Sequence, residues 1–311
     1  MVGRIVEISD NGRHISLFRG FLIVQDKTFE WKEIGRVPLD DILAVIAHAH
    51  GLTYTNNLLV ELAKRNIPFV LTSDEHEVVG MIWPVDGHHQ QAKRFDAQIA
   101  MGLPKKKSLW ADVVRLKIKM QIWALSQFDI ESKHLGRLLL MVKNGDPENV
   151  EGQAARIYWK LLFGEKFVRD RQLFGINTLL NYGYTVFRSS MARAVIAAGL
   201  HPSIGLHHSN DFNAMRLVDD LLEPFRPIID VIVKRIVLDV QYENSLIDVG
   251  SSNKRLLVQG LFQDAVVDDE TLPVMVAMQK LALSLARVAL KEQNKLTLPQ
   301  AFRFSSEEFE F

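Results

Sequence analysis

The chain has 311 residues, 48% of them hydrophobic, with 37 basic side chains balanced by 37 acidic ones and no cysteine. That is enough for one large core or two modest ones. It excludes disulfides and thiolate-zinc sites, favours a reducing cytoplasmic setting, and leaves a nucleic-acid surface possible only where charge is segregated along the chain.

Residues 1–83 read as short strands, Arg4–Ser9, Arg13–Phe18, Phe21–Gln25, Ile42–Ala47, Pro68–Thr72 and Val78–Trp83, separated by turn residues such as Asp10-Asn-Gly12 and Arg19-Gly20. One helix, about Thr55 to Arg65, interrupts them, with Leu58, Leu59, Leu62 and Ala63 on its apolar side. Residues 84–90, with Pro84, Asp86-Gly87 and His88-His89, read as a linker. From 91 to 293 the period is helical, most clearly at Leu109, Val113, Leu116, Met120 and Trp123. Residues 294–311 read as a tail whose end, Ser305–Phe311, is acidic and mobile, and in which Phe302–Phe311 is a weak candidate for partner contact. The expected fold class is α+β, a β-rich N-terminal domain followed by a larger all-α domain. No run of about 18 uncharged apolar residues marks a membrane span, and Met1-Val-Gly-Arg-Ile-Val-Glu7 lacks the apolar core of a signal peptide.

Two clusters carry chemistry. Asp146-Pro147 is a helix start, with a side-chain oxygen to cap it and a proline at the first helical position; in the helix that follows, Glu151, Ala155, Tyr158 and Leu162 share one face. A carboxylate on that apolar stripe demands a partner, whether an ion pair, a helix dipole or a metal. Farther on, a loop rich in Gly, Pro, Ser and Asn carries His207 and His208, and a helix from about Phe212 carries Asp219, Asp220 and Glu223. Asp220 and Glu223 are one turn apart and repel each other, so a cation is their natural partner. An imidazole from His207 or His208 would complete an oxygen and nitrogen donor set acceptable to Mn²⁺ or Mg²⁺. The plain alternative is a solvated acidic face capped by loop histidines.

Basic residues gather in the helical part: Lys93-Arg94, Lys105-Lys106-Lys107, Arg115, Lys117, Lys119, Arg156, Lys160, Lys166, Arg169, Arg171, Arg188, Arg193 and Lys254-Arg255. Such a set suits a DNA backbone, and Arg156, Lys160, Arg188 and Arg193, nearest the acid and histidine blocks, are the first candidates. Trp31, Trp83, Trp110, Trp123 and Trp159 read as core, and His201 as loop packing. His48 and His50 have no carboxylate at matching spacing for a second metal site.

Four blocks, Glu151-Gly-x-Ala-Ala-Arg-x-Tyr158, Asn177-x-Leu-Leu-Asn-Tyr-Gly-Tyr184, Ala198-Gly-Leu-His-Pro-Ser-Ile-Gly-Leu-His-His-Ser-Asn210 and Asp220-Leu-Leu-Glu-Pro-Phe-Arg-Pro227, together resemble the CRISPR-associated integrase that inserts new spacers into CRISPR arrays. Their order and spacing match over essentially the whole chain, with wording most similar to the branch that accompanies a single RNA-guided effector nuclease (type II). The resemblance implies a metal-dependent endonuclease and integrase with its catalytic site in the helical domain. It implies Glu151, His208 and Glu223 as catalytic metal ligands for Mg²⁺ or Mn²⁺, with Asp220 as second choice for the third ligand. It implies double-stranded DNA (fragment and CRISPR repeat) as substrate, a homodimer formed through the β-rich domain, a small companion CRISPR-associated protein, and contact with the effector nuclease. The alternatives are a free-standing structure-selective DNA nuclease and a non-catalytic DNA-binding scaffold.

Overall fold

Runs of alternating apolar residues near the N-terminus become strands in the computed structural model, which describes residues 4–47, 49–72, 78–82, 84–243 and 249–304. The chain divides into two units, residues 1–91 and 92–311.

In the first unit, β1 (Arg4–Ile8), β2 (Arg13–Phe18), β3 (Phe21–Asp26), β4 (Lys32–Pro38), β5 (Ile42–Ala47) and β6 (Thr53–Tyr54) precede α1 (Asn56–Lys64), β7 (Phe69–Thr72) and β8 (Val78–Ile82). They make two four-stranded sheets, ordered β4-β3-β2-β6 and β1-β5-β7-β8. The second is parallel through β1, β5 and β7 and antiparallel at β8. All six residues of β5 are buried, as befits a central parallel strand covered on both faces. Leu58 and Leu62 of α1 pack into the same core as Ile15, Leu22, Val45 and Phe69.

β4 and β6 are not anticipated by the sequence. Lys32-Glu-Ile-Gly-Arg-Val-Pro38 lacks a clean apolar alternation, and the strand lies at a sheet edge with Lys32, Glu33 and Arg36 exposed; charge on an edge discourages pairing with other chains. Trp31, expected in the core, is 52% exposed at the entry to this strand. Trp83, His48 and the end of the tail, 305–311, lie outside the described residues.

The second unit contains α2 (Gln91–Ile99), α3 (Leu103–Ser126), α4 (Lys133–Met141), α5 (Val150–Phe163), α6 (Ile176–Ala197), α7 (Arg216–Leu222), α8 (Arg226–Glu243), α9 (Ser251–Gln259) and α10 (Val274–Ala289). A single 3-10 turn, Glu223–Phe225, links α7 to α8. α6 is buried along most of its length, and Gly183 lets it meet α8: a Cβ there would fall 2.6 Å from Ile229 Cγ2. Leu109, Val113, Leu116 and Met120 of α3 are buried, as their spacing predicts.

This unit is not wholly helical. β9 (Asp264–Val267), β10 (Glu270–Pro273) and β11 (Ala301–Arg303) form an antiparallel sheet in the order β10-β9-β11. The third strand comes from the segment read as tail. Phe302 is buried there against Trp123 and Phe225, with ring centroids 5.7 Å from each. Strands of three or four residues carry too little alternation to be recognised, and Phe302 gains its burial only from long-range packing.

Candidate active site

The site begins with the capping of α5. Asp146 accepts hydrogen bonds from the backbone N–H groups of Val150 and Glu151, both at 2.9 Å, and the Asn149 side chain accepts one from Gly152 N at 3.1 Å. Three otherwise unpaired N–H groups of the first turn are thereby satisfied. The helix thus starts at Val150, later than Asp146-Pro147 suggests, and the buried Asp146 caps it from outside. Val150, Ala154, Tyr158 and Leu162 enter the core, and Glu151 stands at the margin of that stripe.

Glu151 meets a residue that the sequence places among surface cations. The ammonium of Lys117, on α3, lies 2.6 Å from Glu151 Oε1 and 2.5 Å from Glu223 Oε2. Both contacts are largely removed from solvent, with side-chain exposures of 13% for Lys117 and 8% for Glu223. Arg226 Nε donates to Glu223 Oε1 at 2.9 Å. Burial opposes ionisation of Glu223, but Arg226 and Lys117 outweigh it and hold the carboxyl down to about 2. Burial likewise opposes the charge on Lys117, and Glu223 and Glu151 overcome it and raise its pKa. The result is a carboxylate pair converging on one cation. Oε2 of Glu223 is buried and lacks a well-aligned hydrogen bond, its contact with the ammonium being chiefly ionic.

Asp220 is satisfied in another way. It is fully buried and accepts from the backbone N–H groups of Leu206 (2.6 Å), His207 (3.1 Å) and His208 (3.2 Å). Its Oδ1 also lies 2.6 Å from His208 Nδ1. The loop wraps so closely that a Cβ on Gly205 would come within 2.8 Å of Asp220 Oδ2. The hydrogen bond to Asp220 raises the His208 pKa against the effect of burial, with Glu223 and Asp219 adding to the rise. His207 stacks flat on the buried Trp110 at 4.4 Å, and His208 meets the same indole edge-on at 5.8 Å. These contacts distinguish the two histidines: His207 is packed on an aromatic plane, whereas His208 is oriented by a carboxylate through Nδ1, leaving Nε2 to act. Carboxylates orient metal-bound imidazoles in this way.

Asp220, the second choice for a ligand, has both its oxygens engaged by donors from the loop and from His208. Asp220 and Glu223 also part company structurally, since the helix tightens to a 3-10 turn between them. Glu151 and Glu223 come together on Lys117, and among the described residues no three His, Asp or Glu side chains already converge closely enough to hold a metal ion. The carboxylate pair fits a hard divalent cation in its donor chemistry, with the ammonium standing where positive charge is required and one buried oxygen short of a hydrogen bond.

The basic candidates divide. Arg156 and Lys160 are exposed on α5, and Lys160 pairs with Glu165 at 3.1 Å. Arg188 is bound through two nitrogens to Asp219, at 2.7 and 2.9 Å. Arg193 is partly buried, which lowers its pKa. His201 packs edge-on against Phe95 at 5.3 Å, as expected of a loop-packing residue.

A family model described as CRISPR associated protein Cas1 matches residues 6–258. The CRISPR-associated endonuclease Cas1 of Neisseria meningitidis serogroup C (strain 8013) is 31% identical over 305 residues, covering 96% of this chain and 97% of that protein. Among solved structures, a casposase bound to integration product matches with a TM-score of 0.76 at 20% identity, covering 99% of this chain and 94% of that one. A chain of a Cas6-RT-Cas1–Cas2 complex matches with a TM-score of 0.75 at 19% identity, over 95% of this chain and 36% of that one. At such identities the structural likeness establishes the fold. No helix among the described residues is long and apolar enough to cross a membrane.

Proposed function

The chain belongs to the Cas1 family of CRISPR-associated proteins, and on that premise we propose that it is the DNA endonuclease and integrase of CRISPR adaptation, joining short DNA fragments to the edge of a CRISPR repeat. The observation that carries this reading is the convergence of Glu151 and Glu223 on one cation beside an imidazole oriented by Asp220. The reaction is a transesterification. The 3′-hydroxyl oxygen of the fragment forms a new bond to a repeat phosphorus, the existing P–O bond to the leaving 3′-oxygen breaks, the attacking hydroxyl loses its proton and the leaving oxygen gains one. No covalent protein intermediate is needed, which suits a chain without cysteine.

Glu151 and Glu223 would hold Mg²⁺ or Mn²⁺, with His208 Nε2 as the third donor that the family resemblance assigns. A divalent cation supplies charge stabilisation at the attacked phosphate. Glu223 is held ionised by Arg226 and Lys117 against the effect of burial, and Arg226 bonds the oxygen opposite the one that faces Lys117. Asp220 fixes the His208 ring so that only Nε2 is free to bind or to pass a proton to the leaving oxygen. Trp110 keeps water from one side of both histidines.

A fragment must be stitched in at both ends, so paired sites are required. Two-fold association through the β-rich unit, with a small companion of the Cas2 kind between dimers, meets that need; the sequence blocks favour the branch that works beside an RNA-guided effector. The test is strand transfer of a labelled duplex into a supercoiled plasmid bearing a CRISPR repeat, with Mn²⁺ or Mg²⁺ and with chelator. Metal-dependent joining at the repeat edge is expected. Nicking without joining would instead favour a free-standing nuclease.

A further inference from the structure

Behind Glu223 lies a cavity of about 250 Å³ whose walls include Lys117, Trp159, Arg169, Arg171, Arg226 and Asp230. That volume is below the roughly 300–1,000 Å³ of pockets for drug-sized ligands, and suits a phosphate group rather than a whole nucleotide. Its charge is lopsided. Lys117 and Arg226 are paired with Glu223, but Arg169 and Arg171 make no ion pair among the described residues. Arg169 is half-buried, and a guanidinium in that position normally requires a counter-charge. Its hydrogen-bond acceptors are neutral, Asn177 Oδ1 at 2.9 Å and Asn181 Oδ1 at 2.8 Å, and the Asp230 carboxyl acts on it only through space.

These hydrogen bonds give a role to the block Asn177-Thr-Leu-Leu-Asn181-Tyr-Gly-Tyr184. Asn177, Asn181 and Tyr184 fall on one face of α6 at helical spacing, and all three address Arg169, whose guanidinium lies 5.4 Å from the Tyr184 ring centre. The asparagines also tie down the segment that carries the arginines, through Asn177 Nδ2 to Val168 O at 3.0 Å and Asn181 Nδ2 to Arg171 O at 2.8 Å. Arg226 covers Tyr184 as well, at 4.6 Å. Two guanidinium groups, those of Arg169 and Arg226, are thus fixed in place around one cavity, and the exposed Arg171 is anchored beside them through its backbone carbonyl. Asp230, bonded to Tyr158 and Tyr184 and with its carboxyl pushed up to about 7 by burial, compensates these arginines only in part at neutral pH.

We propose that this cavity is a phosphate seat in which Arg169 and Arg171, with Arg226 behind them, hold a backbone phosphate of the DNA strand next to the one that reacts at Glu223. Arginine matches phosphate oxygens with paired N–H donors, and the Arg169 side chain, already held by asparagine and tyrosine, loses little freedom when the anion arrives. The naming of the anion as DNA rests on the integrase reading; the demand for an anion comes from the cavity itself.

The experiment is equilibrium binding of a short fluorescent duplex with single-stranded 3′ ends to the full chain, in chelator, across a potassium chloride series. The substitutions are Arg171→Gln, at the exposed mouth, and Arg169→Gln, whose folding is checked by circular dichroism. Each should weaken binding about tenfold, and each should shallow the plot of log affinity against log salt by roughly 0.7–0.9 for every phosphate left without its arginine. Strand transfer is measured in parallel. Unchanged affinity and slope in folded Arg171→Gln and Arg169→Gln, or a wild-type chain that does not bind the duplex, overturns the phosphate seat. Loss of binding in both variants with no strand transfer by the wild type leaves the seat standing and rejects the integrase reading instead.

Discussion

Asp220 and the pair Glu151–Glu223 are buried or half-buried carboxylates within one site, yet they are stabilised by opposite means. Asp220 is held by backbone N–H groups of a loop and by His208, donors that cannot leave without unfolding that loop. Glu151 and Glu223 are held by the ammonium of Lys117, the end of a flexible side chain. A carboxylate committed to backbone donors serves as a strut; one neutralised by a mobile ammonium can exchange that cation for another. Asp230 presents a third solution, two tyrosine hydroxyls and a carboxyl raised to about 7.

The largest expected effect lies on the exchangeable side. Glu151→Gln, Glu223→Gln and His208→Ala should each lower strand transfer by at least about 10³-fold, since each removes a group assigned to the metal or to proton movement. Folding, followed by circular dichroism, should persist in all three. Near-wild-type joining by any one of them removes that residue from the catalytic set.

On the strut side the effect should fall on stability. Asp220→Ala strands the N–H groups of Leu206, His207 and His208 and frees the His208 ring, and should cost about 3–5 kcal/mol in chemical denaturation. Glu151→Gln should cost less than about 1 kcal/mol, because Lys117 keeps Glu223. Equal losses for the two variants would erase the distinction between strut and exchangeable pair.

Asp230 gives a pH-dependent test. Its carboxyl is raised from 3.8 in the unfolded reference to about 7 by burial, with Tyr184, Tyr158, Arg169 and Arg226 facing it and pulling the other way. The folded state therefore binds the proton more tightly than the unfolded state. The associated stability is present in full below about pH 4 and is lost as pH rises through about 7, on the order of 4 kcal/mol over that window. Asp230→Asn lacks this titration, so its stability relative to wild type should climb between pH 4 and pH 7 and level off above. A difference that is flat with pH would show that the wild-type carboxyl titrates normally.

The sequence discloses the parts of this site that depend on local pattern, and conceals those that depend on tertiary packing. Glu151 is conspicuous because an acid beside an apolar helical stripe needs a partner, and most N-terminal strands are visible in their alternation. Lys117 is hidden because a lysine within a basic run looks like surface; only the packing of α3 against α5 and the 3-10 turn reveals it between two acids. Asp220 and Glu223 look alike three residues apart, and separate into a loop-held carboxylate and an ammonium-paired one only once the loop closes over Asp220. Arg188 looks available for DNA until Asp219 is found across from it. β4 and β11 escape notice for a common reason, an edge position in one case and a three-residue length in the other, neither of which writes a periodic signal.

The most direct test of the exchangeable pair is the thermal unfolding of Lys117→Met with and without Mn²⁺. Removal of the ammonium leaves Glu151 and Glu223 facing each other beside Arg226 alone. In chelator the variant should melt several degrees below wild type, and Mn²⁺ should restore that loss and raise its midpoint by more than it raises the wild type, while Lys117→Met combined with Glu223→Gln should show little response. A Lys117→Met chain whose midpoint does not move with Mn²⁺ would contradict the claim that these two carboxylates form a cation site.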